Sequence, residues 1–478
     1  MKKPNILLFL ADQHRQDCLS MYGNKDVISP NLETLAENGV VFDSHFCPYP
    51  VCTPSRYSLL TGMYPHEHLG TSNYCTLPGG FETFPRILHR AGYNTAAVGK
   101  MHFAPTYLDV GFQKLVLAEQ DGPGRFEDDY HKYLKGLNLI DAIDLYDQRG
   151  EYRKNAPEEY WKTFGAMPSD LPEEHHSTTW ITDRALDEIN TWGKGGNLLM
   201  VGYIKPHHPF DPPGKYAEMY DKNALSILPG YTEKIPAADV SKGPYYFDYT
   251  HYNEDTLRHV MAMYYGTISH IDDSVGRIIS LLREKDLYDD TMIIYTADHG
   301  DYMGHHHLIL KGGFMYDPLI KIPLIIKYPG EAEPNRKGRE QTLTSTIDLP
   351  AMILDQCSIT VPETMKSTIR GDYAFAENFK NTKDYMVRSS THKLLIEGSM
   401  DNVKLFDLQK DPFELNDISK EPANKDIIAD MQRRLLEEFF FVKGHPNLDI
   451  NAPVIRTVSA DESLDMAQYM QKRSPIKP

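Results

Sequence analysis

At 478 residues, with 41% hydrophobic and 24% charged side chains, the chain is long enough for two domains or one large domain with an appendage, and its composition is neither low-complexity nor repetitive. A formal net charge of -17 argues against a broad basic face for nucleic acid or an anionic membrane, but not against a small anionic substrate, because a few converging cations reverse the local potential of a pocket. Five irregularly spaced cysteines (Cys18, Cys47, Cys52, Cys75, Cys357) make no disulfide framework and no C-x-x-C zinc pair.

The opening MKKPNILLFLADQH carries an apolar run shorter than a typical signal core, and no later segment is long and apolar enough to span a bilayer. The chain therefore reads as soluble, cytoplasmic as written and periplasmic or secreted if a precursor signal was removed. Asn5 to Ala11 is a continuous apolar run ending at Asp12, the pattern of a strand buried on both faces with a polar residue at its carboxyl end, where open α/β sheets bind ligands. SPNLETLAENG predicts a short helix with Ser29 as N-cap, Pro30 in the first position and Gly39 past its end.

The alternation recurs. YNTAAVGK (Tyr93 to Lys100), NLLMVGYIKPHHPF (Asn197 to Phe210) and TMIIYTADHGD (Thr291 to Asp301) each place an apolar run before a polar cluster, while TTWITDRALDEINTW and TLRHVMAMYYGTISHIDDSVGRIISLL carry helical spacing. Strands alternating with helices predict an α/β fold, a large and largely parallel sheet covered on both faces, with the polar clusters gathered along one edge. STIDLPAMILDQ reads as a last packing helix. Beyond it the strand-like pieces YMVRSSTHKLLIEG and VKLFDLQKDP and a late helix at DIIADMQRRLLEEFF predict a smaller α+β domain, which places the boundaries at 1–370 and 371–478.

The cluster PVCTPSRYSLLTG (Pro50 to Gly62) has a plain reading, with Cys52 a buried hydrophobe and Pro54 at the first position of a helix, and a sharper one. In the sharper reading residue 52 sits at a helix amino terminus, where amides and dipole favour an anion, and Arg56 faces the same ligand one turn on. Asp12 and Gln13 offer oxygen ligands for a hard divalent cation. Asp298 and His299 lie at another strand end, with Lys311 beyond a loop rich in glycine and histidine. In VGKMHF and IKPHHPF, Lys100 with His102 and Lys205 with His207 would each share one face of extended backbone. A metal site, several cations and two histidines together suit hydrolysis of an anionic ester.

These residues resemble the sulfatase family within the alkaline-phosphatase-like superfamily. CTPSRYSLLTG matches the signature in which cysteine is oxidised after synthesis to formylglycine, and ADQ, GKMH, KPHHPF, ADHGD with Lys311, and LFDLQKDPFELND follow in the family's order over nearly the whole chain. The resemblance implies a mostly parallel mixed sheet sandwiched by helices with a smaller carboxyl-terminal domain, and a formylglycine at position 52 whose hydrate attacks sulfur. It implies a metal, calcium as the family's usual ion, held by Asp12, Gln13, residue 52, Asp298 and His299. Arg56 would stabilise the deprotonated diol, Lys100 and Lys311 would hold sulfate oxygens, His207 would protonate the leaving alcohol and His102 would help the second hydroxyl lose its proton. His208 and His305 to His307 compete for those histidine roles, with a loop role the plainer reading. Gln13 and His299 replace the family's frequent aspartate and asparagine, as in branches that include choline sulfatases and phosphonate monoester hydrolases. That makes manganese a rival to calcium.

The implied substrate is a sulfate ester, a sulfated carbohydrate ahead of aryl or choline sulfate. The alternatives are a phosphonate monoester or phosphodiester hydrolase on the same scaffold and, in a different class, a catalytically silent binding module. A formylglycine-generating enzyme is the implied modifying partner, and neither nucleic acid nor membrane is expected. The loops from about Gly122 to His176 and Gly243 to Tyr252 would shape the substrate pocket; Tyr245, Tyr246 and Tyr249 could stack on a sugar, with packing of their own loop the plainer reading.

Overall fold

The computed structural model describes residues 3–120, 123–237, 239–240, 247–330, 336–365, 371–379 and 382–442. The strands in chain order are β1 Asn5–Asp12, β2 Val40–Phe42, β3 His45–Phe46, β4 Asn94–Gly99, β5 Lys114–Leu117, β6 Asn197–Pro206, β7 Thr291–Ala297, β8 Lys321–Ile322, β9 Leu324–Lys327, β10 Gly338–Glu340, β11 Thr344–Ser345, β12 Ala374–Asn378, β13 Asp384–Arg388, β14 His392–Glu397 and β15 Val403–Asp407. Eight of them form one sheet in the order β10-β2-β9-β7-β1-β6-β4-β5, parallel except where β9 runs against its neighbours β2 and β7. The apolar run of β1 lies at its centre, between β6 and β7.

Both faces of that sheet are covered. Leu7, Phe9 and Ala11 point into a core built with the helices Ser177–Asn190 and Glu254–Glu284, whereas Ile6, Leu8 and Leu10 point into the opposite core with the helices Cys52–Thr61, Phe84–Arg90 and Leu349–Gln356. Burial on both sides is why the strand reads as an unbroken apolar run rather than an alternating one. Gly99 on β4 and Gly202 on β6 lie directly opposite one another, and a Cβ on either would come within 2.1 Å of a backbone oxygen. The close approach lets Lys100 leave the end of β4 with its N–H bonded to the Gly202 carbonyl at 2.7 Å.

A second, antiparallel sheet β12-β13-β14-β15 packs with the helix Lys425–Glu437 around Phe375, Val387, Leu394, Leu405, Met431 and Leu435, so the short strand-like pieces and the late helix form a small α+β unit. Residues 443–478 of the expected carboxyl-terminal domain lie outside the described residues. No helix among the described residues is long and apolar enough to cross a membrane.

Two local expectations are corrected. The helix Pro30–Glu37 begins where the sequence places it, but Ser29 makes no side-chain cap. Asp272 of the long helix instead accepts from the N–H groups of Leu32 at 2.7 Å and Asn31 at 3.1 Å, so the orphan donors are satisfied across the core. The helix after Val51 starts at Cys52, two residues before Pro54. Proline fits this third position because first-turn N–H groups have no intrahelical partner to lose.

Candidate active site

The carboxyl ends of β1, β4, β6 and β7 and the first turn of the helix Cys52–Thr61 meet at one place. Asp12, Cys52, Asp298 and His299 offer ligand atoms that all lie within 4.8 Å of one another, and all four are buried. The Cys52 sulfur is 3.2 Å from His299 Nε2, 3.6 Å from Asp12 Oδ1 and 3.0 Å from Lys311 Nζ. Residue 52 therefore stands at the helix amino terminus with its Sγ among these groups.

Arg56, one turn on, is wholly engaged. Its Nε donates to Asp298 Oδ2 at 2.9 Å, Nη2 to Asp12 Oδ2 at 3.0 Å and Nη1 to the Lys100 carbonyl at 2.5 Å. Lys100 Nζ reaches the same Asp12 oxygen at 2.7 Å. The guanidinium and ammonium thus take one oxygen of each carboxylate, and Asp12 Oδ1 is left on the side of the sulfur. Burial alone would raise the Asp12 pKa, but the charges of Lys100 and Arg56 reverse it and hold the carboxyl well below its usual range. Burial likewise opposes the charge on Lys311, and the neighbouring Cys52 and Asp12 override it and raise the ammonium.

The donor set fits a divalent cation. His299 Nδ1 lies 2.9 Å from the Gly300 carbonyl, which can only accept, so the ring proton sits on Nδ1 and Nε2 is bare toward the carboxylates. Burial keeps this imidazole neutral, the form that ligates metal. Gln13 donates its backbone N–H to Asp298 Oδ1 at 3.1 Å and its Nε2 to Asp301 Oδ2 at 2.6 Å, while its Oε1 is buried with no hydrogen-bond partner among the described residues. Such an orphaned acceptor beside two carboxylates is what a hard cation would satisfy.

Above this cluster opens a cavity of about 580 Å3 lined by Lys100, His102, His207 and Lys311 among others. Lys311 Nζ lies 2.8 Å from His207 Nε2 and 3.3 Å from His299 Nε2. Because an ammonium only donates and the His208 carbonyl, 2.5 Å from His207 Nδ1, only accepts, His207 carries its proton on Nδ1. Burial, then Lys311 and Lys100, keep its pKa well below the ordinary value. Two carboxylates (Asp12, Asp298) against three cations (Arg56, Lys100, Lys311) leave this floor positive within an acidic chain. The arrangement can bind an anion and neutralise charge that grows on it.

Other expected residues fall differently. Lys205 does not share a face with His207: β6 inserts extra residues opposite Asp12, with Ala11 paired to Tyr203 and Asp12 to Pro206, and the irregularity turns Lys205 into a buried ion pair with Asp211. His102 does share the cavity with Lys100, but through a left-handed backbone, φ 57°, held by Glu119 accepting its N–H at 3.0 Å. Burial raises that Glu119 carboxyl to about 8. His208 lines the cavity while its ring lies 2.6 Å from Asp147 and 2.6 Å from the Phe164 carbonyl. His306, 2.7 Å from Asp239, and His307, 2.7 Å from the Thr232 carbonyl, brace the loop that delivers Lys311.

The segment after Gly122 contributes Asp147, Gln148 and Arg153 to the cavity wall. Tyr249 packs on Phe164 and Tyr252 instead, and Tyr245 and Tyr246 lie outside the described residues. Sequence reasoning missed Gln120, whose Oε1 accepts from Lys100 at 2.8 Å, and Asp301, which holds Gln13. Within the quoted motif it passed over Thr53, whose Oγ1 donates to the His102 carbonyl at 2.7 Å, while Ser55, expected only as part of what the modifying enzyme recognises, donates its Oγ to the Asp298 carbonyl at 2.6 Å.

A mostly parallel α/β sheet carrying a cation cluster and a candidate nucleophile at its carboxyl edge is the architecture of an alkaline-phosphatase-like hydrolase. The sulfatase family model matches residues 4–359, and the chain belongs to the sulfatase family. It is 28% identical to an arylsulfatase of Clostridium perfringens, covering 91% of this chain and 94% of that one. It is 24% identical to an N-acetylglucosamine-6-O-sulfatase of Bacteroides thetaiotaomicron, over 87% and 83%. The solved phosphonate monoester hydrolase of Silicibacter pomeroyi superposes with a TM-score of 0.75 at 23% identity, covering 95% of this chain and 99% of that one, a likeness of fold.

Proposed function

We propose that this sulfatase hydrolyses the sulfate ester of a carbohydrate, with Cys52 converted to formylglycine by a modifying enzyme. The observation that carries the reading is the position of residue 52: first in its helix, within the CTPSR motif, 3.0 Å from Lys311 and 3.2 Å from His299 at the floor of the cavity. The carbohydrate class is supported by the N-acetylglucosamine-6-O-sulfatase relative and by a cavity of about 580 Å3 whose wall mixes Asn73, Gln148 and Arg153 with Tyr49, Tyr74 and Phe379, polar groups for hydroxyls beside apolar rings.

In this reading Lys100 and Lys311 bind the sulfate oxygens, and Arg56 bridges Asp12 and Asp298 while it offsets charge on the hydrated residue 52. One hydroxyl of that hydrate, its proton lost to water, would form the new S–O bond as the ester S–O bond breaks. His207 Nε2 gives a proton to the departing alcohol. His102 takes the proton of the remaining hydroxyl, and cleavage of the C–O bond then releases sulfate and restores the aldehyde. Lys311 occupies His207 Nε2 at 2.8 Å, so an anion that draws Lys311 away frees that nitrogen to take up a proton from water. Asp12, Gln13, residue 52, Asp298 and His299 would hold a divalent ion, Ca2+ ahead of Mn2+, which supplies positive charge next to the nucleophile. Residues 1–370 are assigned the catalytic role and 371–478 a smaller appended unit.

The presence of Cys52, Arg56, Lys100, His207 and Lys311 weighs against a silent binding module. The fold shared with a phosphonate monoester hydrolase keeps phosphoryl esters as the second reading. Specificity constants for an aryl sulfate and the matching aryl phosphonate separate the two, and a much higher value for the phosphonate would replace the sulfatase assignment. Release of inorganic sulfate from sulfated sugars, exceeding that from choline sulfate, is the expected outcome on the substrate class.

A further inference from the structure

Gln120 follows the edge strand β5 and is 1% exposed. Its carboxamide makes three hydrogen bonds: Oε1 accepts from Lys100 Nζ at 2.8 Å, and Nε2 donates to the His208 carbonyl at 2.7 Å and to Asp144 Oδ1 at 2.9 Å. The orientation is forced, because an ammonium can only donate while a carbonyl and a carboxylate can only accept. The His208 carbonyl is the same one that holds His207 Nδ1, at 2.5 Å. Gln120 and His207 therefore share one acceptor as its two short partners, with Gln148 Nε2 a longer third donor at 3.4 Å.

We propose that Gln120 is a positioning residue that couples the sulfate-binding Lys100 to the proton donor His207, so that charge binding and leaving-group protonation share one geometry. The proposal rests on the reading of His207 as general acid given above. Gln120 is itself anchored: its backbone carbonyl accepts from Arg125 Nη1 at 3.0 Å, and the same guanidinium pairs with Asp144. The preceding Glu119 accepts the N–H groups of Met101 at 3.2 Å and His102 at 3.0 Å, so two successive residues after β5 reach three of the groups assigned to the chemistry. A buried amide used only as filler would need no such bridge. When His207 gains its second proton, the Nδ1–H bond to the His208 carbonyl becomes charge-assisted and strengthens. Gln120 keeps that carbonyl aimed at the ring while holding Lys100, which would otherwise be drawn wholly to Asp12.

The experiment uses the full chain bearing the aldehyde and compares wild type, Gln120→Glu, Gln120→Met and His207→Ala on aryl sulfates whose leaving groups run from 4-nitrophenol to phenol and 4-methoxyphenol. Gln120→Glu keeps an acceptor for Lys100 and removes both donors; Gln120→Met removes all three bonds at similar length. A misplaced acid harms poor leaving groups most, so both variants should lose about 10- to 100-fold in kcat on 4-methoxyphenyl sulfate and less than about threefold on 4-nitrophenyl sulfate. Gln120→Met should also weaken inorganic sulfate, measured by calorimetry, by about threefold to tenfold through Lys100. Equal losses across the series, or an unchanged series in a folded variant while His207→Ala steepens the leaving-group dependence, would overturn the coupling. If His207→Ala itself leaves the dependence unaltered, the general-acid reading fails and the proposal falls with it, a result distinct from failure at Gln120 alone. Should Gln120→Met not fold, the same comparison stands on Gln120→Glu.

Discussion

Two buried charge clusters in this molecule look alike in composition and differ in what they leave over. Between the large sheet and the carboxyl-terminal sheet, Asp317 pairs with Arg388 at 3.1 Å and Lys393 at 2.9 Å, Lys393 reaches Glu414 at 2.6 Å, and Glu414 accepts the Asp317 N–H at 2.7 Å. Each charge there has an opposite charge beside it, Glu414 Oε1 meeting Lys393 as an ion pair without hydrogen-bond geometry, and none of the four lines the cavity. At the sheet edge, Asp12, Asp298, Arg56 and Lys100 are also paired, yet the Gln13 Oε1 is orphaned, the bare Nε2 atoms of His299 and His207 converge on Lys311, and the sulfur of residue 52 lies among them. A closed cluster joins parts of the fold; an open one has capacity for a cation, an anion and a reaction.

The largest effect that sharpens this contrast is expected at residue 52. Cys52→Ala should lower turnover by about 10^3-fold or more, since removal of a nucleophile disables the whole catalytic unit, while the melting temperature stays close to wild type. Chelator treatment comes next: removal of the ion should abolish most of the sulfate release and lower the melting temperature, with both restored by Ca2+ or Mn2+, and the regained rate ranks the two ions. Lys311→Ala should cost about 10^2-fold to 10^3-fold in kcat/KM on a sulfate ester, the magnitude of losing one charge-stabilising donor.

At the closed cluster the effects should fall on stability instead. Asp317→Asn leaves Arg388 without a buried counter-charge and Lys393 with Glu414 alone, and should destabilise the fold by about 3 kcal/mol, with kcat of the folded fraction within about threefold. Burial would raise the Asp317 carboxyl, but Arg388 and Lys393 hold it well below the usual carboxylate range. Its contribution is thus present above the unfolded-state pKa of about 3.9 and is lost as pH falls below that value toward the lower folded-state one. Denaturant unfolding between pH 7 and 3 should show wild type losing stability more steeply than Asp317→Asn. Parallel curves would remove the ion pair from the account.

What the sequence made legible follows the same division. β1, β6 and β7 were readable because strands buried on both faces are continuous apolar runs, and Asp12, Asp298 and His299 stand directly at their ends. Cys52, Arg56, Lys100, His207 and Lys311 were readable because they fall in order within motifs. Residues whose roles come from distant partners were not. Gln120 gains its meaning from Lys100, Asp144 and His208, and the cap of the Pro30–Glu37 helix comes from Asp272, 240 positions beyond Leu32. Lys205 was misplaced because alternation assumes a regular strand and β6 is irregular at its end. The strands His45–Phe46, Lys321–Ile322 and Thr344–Ser345 form a sheet of two-residue pieces, too short to carry any period.

The central claim is that residue 52 is the nucleophile in an oxidised form, and the direct test is the mass of the tryptic peptide Asp26 to Arg56 from cells with a competent modifying enzyme, fragmented to separate residue 52 from Cys47. The account predicts that residue 52 has lost its sulfur and gained a carbonyl oxygen. An intact thiol at position 52, in a host shown to modify other sulfatases, would contradict it.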